Sequence, residues 1–323
     1  MIWMKAEDSN KAKAPAQKKE EKAVSPEDRG LLSKLRFPDL PVREAIAIPL
    51  ALLLISLIII AYTFVTVGTP LRLGLDFQGG TMVTVKTDKT GQQLQDEFRG
   101  YPLKLITYGS NGEKTLRFDR MPDARQSELA EYVNKNYPGA IIEYIGGVFS
   151  QANQGQAVTA VLVAFAGMAI TVFIIFRSFV PSVAVIMAAF SDIMFAMAMM
   201  NVFGIELTFG TLAALLMLIG YSVDTDILLT TKVLGERKYI DKKIASCRAT
   251  GLTMTGAAIV AFLVLWAVAS FSYLIGLSAI PVLANIAIVM IFGLSADLIF
   301  TWFFNAGLLK WYMESPAGRA KYG

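Results

Sequence analysis

Four aspartates stand in stretches that are otherwise apolar and long enough to cross a membrane. They are Asp192, Asp224, Asp226 and Asp297. A carboxylate in the middle of a membrane helix costs roughly 2.5–3.5 kcal/mol on insertion scales. A partner group, a water-filled cavity or protonation must offset that cost. Each of these solutions points to the handling of ions or protons inside the membrane.

Asp224 and Asp226 are two residues apart, so on a helix their side chains diverge by about 200°. They therefore cannot act as one carboxylate pair. Asp224 shares a face with Gly220, and small residues allow a neighbouring helix to approach closely. Asp226 shares a face with Ser222, whose hydroxyl could order water. Alternatively, Asp226 lies near the cytoplasmic end and snorkels or pairs with a loop lysine.

The other membrane acids have one candidate cationic partner, Arg248, at the start of the fifth apolar stretch. Asp192 lies deep in its stretch, which favours a functional role. Asp297 lies close to the boundary, so a structural hydrogen bond between helices is an equal alternative. Arg248 either pairs with an acid or anchors its helix at the interface. We expect Asp224, Asp192 and Arg248 to form one polar cluster whose protonation drives movement.

The composition identifies an integral membrane protein, since 54% of the 323 residues are hydrophobic and only 17% are charged. Without histidine, a proton relay must use carboxylates, hydroxyls and water. The net charge of +4 does not indicate nucleic acid. Six apolar stretches are each long enough for a hydrocarbon core of about 30 Å. They cover residues 45–67, 158–176, 181–203, 207–229, 252–274 and 277–302.

The Lys and Arg residues between these stretches predict the orientation. They cluster before the first stretch, in alternate connections and after the last stretch, which puts both termini in the cytoplasm of a cell-membrane protein. The predicted organisation has five parts. These are a disordered cytoplasmic arm (1–44), a first span (45–67), an extracytoplasmic domain (68–157), a five-helix bundle (158–309) and a cytoplasmic tail (310–323).

Residues 68–157 alternate between strand and helix patterns. Strands are predicted at 81–87, 103–108, 114–118 and 141–145, and helices at 92–99 and 127–136. This βαββαβ order is typical of an α+β ferredoxin-like unit. Its acids and bases balance, and it has no metal-binding or nucleophilic constellation. The domain is therefore interpreted as a binding or mechanical module, and the chain as a non-enzyme without a cofactor or a metal.

The sequence Gly-Leu-Asp-Phe-Gln-Gly-Gly at 74–80 stands between the first span and this domain. Gly79 and Gly80 allow backbone angles that are closed to other residues. Asp76 can accept hydrogen bonds from neighbouring amides. No Lys-Ser/Thr follows, so the pattern is not a phosphate loop. It predicts a shaped turn where the chain leaves the bilayer.

This heptapeptide, the external βαββαβ domain and the six-span layout resemble the SecD/SecF family of protein-export membrane subunits. The run Ile-Gly-Tyr-Ser at 219–222 is similar to the fourth span of the SecF branch, and its Val-Asp-Thr-Asp continuation to archaeal members. The resemblance implies half of a resistance-nodulation-division-like unit that assists Sec-dependent export. It also implies a SecD-like partner, the Sec translocon channel, an unfolded polypeptide held by the external domain, and coupling to proton motive force.

The family's functional residues carry over unevenly. Bacterial SecF sequences have their acid at the position of Thr225, whereas Asp224 matches the acid of the SecD branch. Asp192 matches the acid of a bacterial His-Asp pair, and Arg248 resembles the Arg-Thr-rich entry to the fifth span. Asp226 has no clear counterpart. The resemblance thus implies Asp224 as the proton carrier.

Other functions remain open at this point. The chain could be a stand-alone exporter of lipids or small molecules, or a structural subunit whose acids only join helices. The choice between proton and sodium coupling is also open.

Overall fold

The structure is a computed structural model that describes residues 42–109, 112–235, 240–271 and 280–322. Most of the predicted arm, the end of the fifth stretch and the start of the sixth lie outside the described residues. Strands β1–β4 are Gly80–Lys86, Leu103–Tyr108, Glu113–Phe118 and Ile141–Ile145. The helices, in chain order α1–α11, are Val42–Val67, Leu75–Gln78, Gly91–Glu97, Asp123–Asn136, Gly147–Phe176, Phe179–Phe203, Phe209–Leu234, Ile240–Phe271, Pro281–Ile299, Ala306–Glu314 and Pro316–Tyr322. A six-residue π-helix, Phe300–Asn305, joins α9 to α10.

The six predicted membrane helices are confirmed: the described residues form six helices that are long and apolar enough to span a bilayer. α9, the π-helix and α10 together make the last of them, Pro281–Glu314. Two helices begin earlier than predicted. α5 begins at Gly147 because its polar first turns dock on α2 through Asn153 and Gln154, which donate to backbone carbonyls of Asp76 and Phe77. α8 begins at Ile240, so the part of the Lys-rich connection from this residue onward, including Cys247, is helical.

α6 and α7 form the centre of the bundle and are its most buried spans. Their shared core contains Met200 of α6, Leu218 of α7 and Met290 of α9. α1 and α5 pack on α6 from outside, and α8 packs mainly on α9. The outer helices therefore present apolar side chains to lipid, and three acids, Asp192 of α6, Asp226 of α7 and Asp297 of α9, are enclosed.

The four strands form one antiparallel sheet in the order β2-β3-β1-β4, as expected for a βαββαβ unit. α3 and α4 cover one face, where Val83 and Leu116 from the sheet meet Phe98, Leu129 and Val133. The alternation along β3 turns Leu116 and Phe118 into this core and Arg117 to the other face. Arg117 forms an ion pair with Glu206, just before α7. The sheet thus faces the spans with its uncovered side.

Glu97, at the end of α3, joins the two helices of this domain. Its carboxylate accepts hydrogen bonds from Lys89 Nζ (2.8 Å), Tyr132 Oη (2.9 Å) and Tyr137 Oη (2.7 Å). Burial opposes the charged form, but the hydrogen bonds from Lys89, Tyr137 and Tyr132 outweigh it and hold the pKa of Glu97 below its usual value. The charged carboxylate is therefore part of the folded domain.

Replacing Glu97 by Gln should lower the free energy of opening of the sheet domain by about 1–3 kcal/mol at pH 7, since a hydrogen-bonded charged acceptor is lost. Because the folded pKa is depressed, the advantage of Glu97 is complete above its unfolded pKa of about 4.3 and disappears as the pH falls through the folded value. Amide hydrogen exchange in the full chain measures this difference. The matched change Glu131→Gln, at an exposed site of α4, should have little effect. An equal loss for both variants would contradict this account.

Candidate functional site: a carboxyl cluster and its link to the sheet domain

Three of the four membrane acids meet where α6, α7 and α9 pack together. Asp192 of α6, Asp226 of α7 and Asp297 of α9 are all fully buried, and their carboxyl groups interact electrostatically with one another. Like charges this close oppose simultaneous ionisation in a low-dielectric interior. The geometry therefore favours a cluster that does not carry three negative charges at once.

Hydroxyl and amide groups from three helical segments, α7, α8 and the π-helix, provide the hydrogen bonds. Ser222 donates to Asp192 at 2.5 Å, and Thr255 of α8 donates to Asp297 at 3.4 Å. Asn305 at the end of the π-helix donates to Asp226 Oδ1 at 2.7 Å. Each carboxyl group thus accepts a hydrogen bond from a side chain on a helical segment other than its own.

Thr301 connects two of the acids. Its Oγ1 lies 2.8 Å from Asp226 Oδ1 and 3.0 Å from Asp297 Oδ1. A hydroxyl has one hydrogen to donate. If both contacts are hydrogen bonds, one carboxyl accepts from Thr301 and the other is protonated and donates to it. The pair Asp226–Asp297 can therefore hold one shared proton through Thr301.

The π-helix brings both of its polar side chains to the same acid. Thr301 and Asn305 stand four residues apart in this wide turn, and both contact Asp226 Oδ1. π-turns inside longer helices occur frequently at functional sites. Here the irregular turn is built around the carboxyl cluster.

No ion pair between described residues involves any of these three carboxyl groups. Oδ1 of Asp192 and Oδ2 of Asp226 are buried and have no hydrogen-bond partner among the described residues. The described part of the chain also holds no group of three or more His, Cys, Asp or Glu side chains arranged for a metal ion. A buried carboxylate without a charged partner is costly, and protonation removes that cost.

The structure separates Asp224 from this cluster. Asp224 is exposed on the outer face of α7, beside Gly220 and Tyr221. The close contact expected at Gly220 is not made within the described chain, because a Cβ there would meet nothing within 4 Å. The Asp226 face of α7 packs on α6 and α9. Because the two side chains diverge by about 200° on the helix, Asp224 lies on the opposite face. The expectation that Asp224 lies beside Asp192 is therefore wrong for the isolated chain.

The structure also gives the contacts of the other candidate residues, Asp226, Asp297 and Arg248. Asp226 contacts Thr301 and Asn305 rather than a loop lysine, and Asp297 makes the hydrogen bond between helices that its structural alternative requires. Arg248 is half-buried on α8. The ion pairs between described residues do not join it to any of the membrane acids.

The heptapeptide at 74–80 binds the start of α7, the helix that carries Asp226. The amide of Gly74 donates to Leu207 O at 2.8 Å, and the amide of Leu207 donates to Arg72 O at 2.7 Å. Asp76 Oδ2 accepts from the amide of Phe209 at 2.9 Å, which satisfies a free N–H in the first turn of α7. Sequence reasoning predicted a turn here, but the segment contains the short helix α2.

Gly79 and Gly80 lead from α2 into β1 with φ angles of +72° and +117°. A Cβ at Gly80 would lie 2.5 Å from Phe118 O, so a side chain is excluded there. Arg120 secures the same turn, donating to Gln78 O at 2.9 Å and 2.6 Å and to Ser150 Oγ at 2.7 Å. The turn therefore joins the sheet, α2 and the start of α5.

Sequence reasoning missed four residues of these sites: Arg117, Arg120, Thr301 and Asn305. A signal for the last two was present, since they follow Asp297 at intervals of four in an apolar run, which puts them near one face of a helix. Arg117 could have been found from the strand alternation, because its neighbours Leu116 and Phe118 are apolar.

Two family profiles match the chain. The profile "Protein export membrane protein SecD/SecF, C-terminal" matches residues 125–315, and "SecD/SecF GG Motif" matches residues 64–90. The curated SecF protein-export membrane protein of Methanolacinia petrolearia is 42% identical over 84% of this chain and 94% of its own length. The SecF proteins of Haloferax volcanii (40%; 84% and 92%) and Pyrococcus furiosus (34%; 90% and 98%) are also similar.

Among solved structures, SecDF from Thermus thermophilus, a translocon-associated membrane protein, matches with a TM-score of 0.72 and 21% identity. The match covers 88% of this chain but only 40% of the SecDF chain. A second SecDF structure, in a "Super-membrane-facing form", matches with a TM-score of 0.54 and 21% identity over 90% of this chain and 41% of its own. At this identity the likeness shows a shared fold.

Replacing Asp76 by Ala should destabilise the first turn of α7 by about 0.5–2 kcal/mol, because the amide of Phe209 loses its acceptor. Faster hydrogen exchange of the amides in this turn measures the loss. Asp76→Asn keeps a side-chain oxygen and should lose much less. Asp88→Ala, at an exposed site after β1, is the control, and unchanged exchange in Asp76→Ala would refute the link.

Proposed function

The chain belongs to the SecD/SecF family of protein-export membrane proteins, and we propose that it is a SecF-type subunit that converts proton motive force into movement of its sheet domain. The observation that carries this proposal is that α7 contacts both the carboxyl cluster and the heptapeptide that leads into the sheet domain. Asp226, in the second half of α7, belongs to the carboxyl cluster, and Phe209 at the start of α7 is held by Asp76 of the heptapeptide. In this proposal the sheet domain lies outside the cell membrane and assists a translocating polypeptide, with a SecD-like subunit and the Sec translocon channel as partners.

The charges at the opposite end of the bundle support this orientation. Lys321 donates to Arg177 O and Ser178 Oγ, so the final helix and the α5–α6 connection share one end of the bundle. Lys310 pairs with Asp241 at the start of α8. By the positive-inside rule this basic end lies in the cytoplasm, and the sheet domain lies on the other side.

Proton transfer through the cluster proceeds by changes of hydrogen-bond partners. When the shared proton leaves, Thr301 can donate to only one of the two carboxylates, and the repulsion between Asp226 and Asp297 rises. Relief requires the α7–α9 contact to change or a new proton to enter. Because α7 is fastened to the heptapeptide, a shift of α7 also shifts the segment that leads into β1.

Asp224 has a different part in this proposal. It lies with Gly220, Tyr221 and Met217 on an exposed face of α7. An exposed carboxylate on a membrane helix is costly against lipid, and a SecD-like subunit packed on this face would enclose it. Its proton would then be exchanged with groups of the partner, with Asp192 and Asp226 as the inner acceptors and half-buried Arg248 controlling access from α8.

Sodium is the alternative coupling ion, because carboxyl, hydroxyl and amide oxygens are also ligands of hard cations. Because the chain contains no histidine, any proton transfer must also use these carboxyl and hydroxyl groups. Export measured while the proton and sodium gradients are collapsed separately distinguishes the two ions.

Replacing Thr301 by Val, which removes the bridging hydroxyl and keeps the shape, should lower gradient-dependent export of a secretory substrate about fivefold. This corresponds to the loss of roughly 1 kcal/mol. Asp226→Asn should lower it further, because the shared proton is lost altogether. The assay uses vesicles that contain this chain and its export partners, with and without a proton gradient.

Thr253→Val is the matched control, since Thr253 is exposed on α8 and its hydroxyl donates only within its own helix, to Ala249 O. Equal gradient-driven export by the parent, Thr301→Val and Asp226→Asn would refute the coupling proposal.

Replacing Gly220 by Leu should greatly reduce co-purification of a SecD-like subunit, because the added side chain projects from the face that carries Asp224. Gly167→Leu on α5 is the control: Gly167 is also exposed, and a Cβ there likewise meets nothing within 4 Å. If both variants retain the partner equally, the partner does not bind this face.

A further inference from the structure

A cavity of about 290 Å³ lies between α5, α6 and α7 at the end of the bundle that carries the sheet domain. Side chains from several elements line it, including Leu73, Phe77, Val161, Ile193, Leu212 and Ile219. This volume is close to the lower end of ligand pockets, about 300–1,000 Å³. The cavity is separate from the carboxyl cluster.

The cavity offers very little to water. Its described lining has two polar side chains, Thr69 and Gln154. The Thr69 hydroxyl donates to Leu71 O at 2.6 Å, and the Gln154 amide donates to Phe77 O at 2.5 Å. A buried water needs two to four polar partners, and apolar cavities of comparable size stay dry. The occupant must therefore be apolar.

The open side of the cavity faces the bilayer. Val158 and Leu162 of α5 belong to the lining and are 61% and 64% exposed. From Val158 onward the exposed face of this helix is mainly apolar, as Leu162, Ile170 and Ile174 show, so the medium at this opening is lipid hydrocarbon. A peptide segment would bring unpaired backbone N–H and C=O groups into an apolar site, which is strongly unfavourable.

We propose that this cavity binds one hydrocarbon tail of a bilayer lipid. The described lining contains no charged side chain, so the lipid headgroup stays outside. The bound tail contacts Leu73 just before the heptapeptide, Phe77 within it, and Leu212 in the first turn of α7. It thus fills the space under the junction between the sheet domain and α7. The site follows from the cavity alone and does not depend on the proposed export function.

The test uses the full chain in phosphatidylcholine vesicles that contain a phosphatidylcholine with a photoreactive diazirine at the end of one tail. Irradiation, proteolysis and mass spectrometry identify the labelled residues. Leu212 and Ile219 are the diagnostic positions, since they line the cavity but are only 9% and 5% exposed. We expect clear adducts at both positions in the parent chain.

Two variants narrow the cavity from the α5 side, Val158→Trp at its opening and Val161→Phe inside it. Each should reduce the adducts at Leu212 and Ile219 several-fold while the unfolding profile in detergent stays unchanged. Val163→Trp is the control, because Val163 is 65% exposed on the same helix and does not line the cavity. Absence of adducts at Leu212 and Ile219 in the parent, as when a second copy or a peptide fills the cavity, overturns the proposal. Adducts that both narrowing variants leave unchanged overturn it as well.

Discussion

A carboxyl group that leaves water must find its hydrogen bonds inside the protein, and Asp192, Asp226 and Asp297 find theirs only where α6, α7 and α9 meet. This requirement explains the arrangement of the bundle. The two most buried helices, α6 and α7, bring an acid each, and the last span contributes an acid, a hydroxyl and an amide. Among the outer helices, α8 adds the Thr255 hydroxyl, and the others present apolar side chains to lipid and shield this centre. Polar contacts thus fix the axial register between these helices, although most of their packing is apolar. A shift by one helical turn would leave the carboxylates without hydrogen-bond donors.

α7 takes part in two separate sets of contacts, the carboxyl cluster and the binding of the heptapeptide. Its second half lies in the carboxyl cluster, through Ser222 and Asp226. Its start is bound to the heptapeptide through backbone hydrogen bonds and through the Asp76 carboxylate. Arg117 and Arg120 extend the fixed end into the sheet, through Glu206 and Gln78. The contacts between the membrane bundle and the sheet domain at this junction are therefore short, directional hydrogen bonds and ion pairs.

Much of the fold could be predicted because its patterns are local. Apolar length identified the spans, strand alternation and helical spacing identified the βαββαβ order, and paired glycines identified the turn at Gly79. The helical wheel also separated Asp224 from Asp226 correctly, but it could not say which face looks inward. That choice depends on α6 and α9, which are distant in sequence. Thr301 and Asn305 escaped notice for the same reason, because their partner Asp226 lies far away along the chain. The early start of α5 depends on its docking against α2, again a tertiary contact.

The π-helix at Phe300–Asn305 has a consequence for the register of the last span. Each residue of an α-helix advances the chain by about 100° and 1.5 Å. If the wide turn tightened to ordinary α geometry, everything after it would screw around the helix axis. α10, with Lys310 and its contact to Asp241, would turn as one body while α9 stayed in place. The hydrogen bonds of Thr301 and Asn305 to Asp226 therefore help to set the rotation of α10 about the helix axis relative to α9.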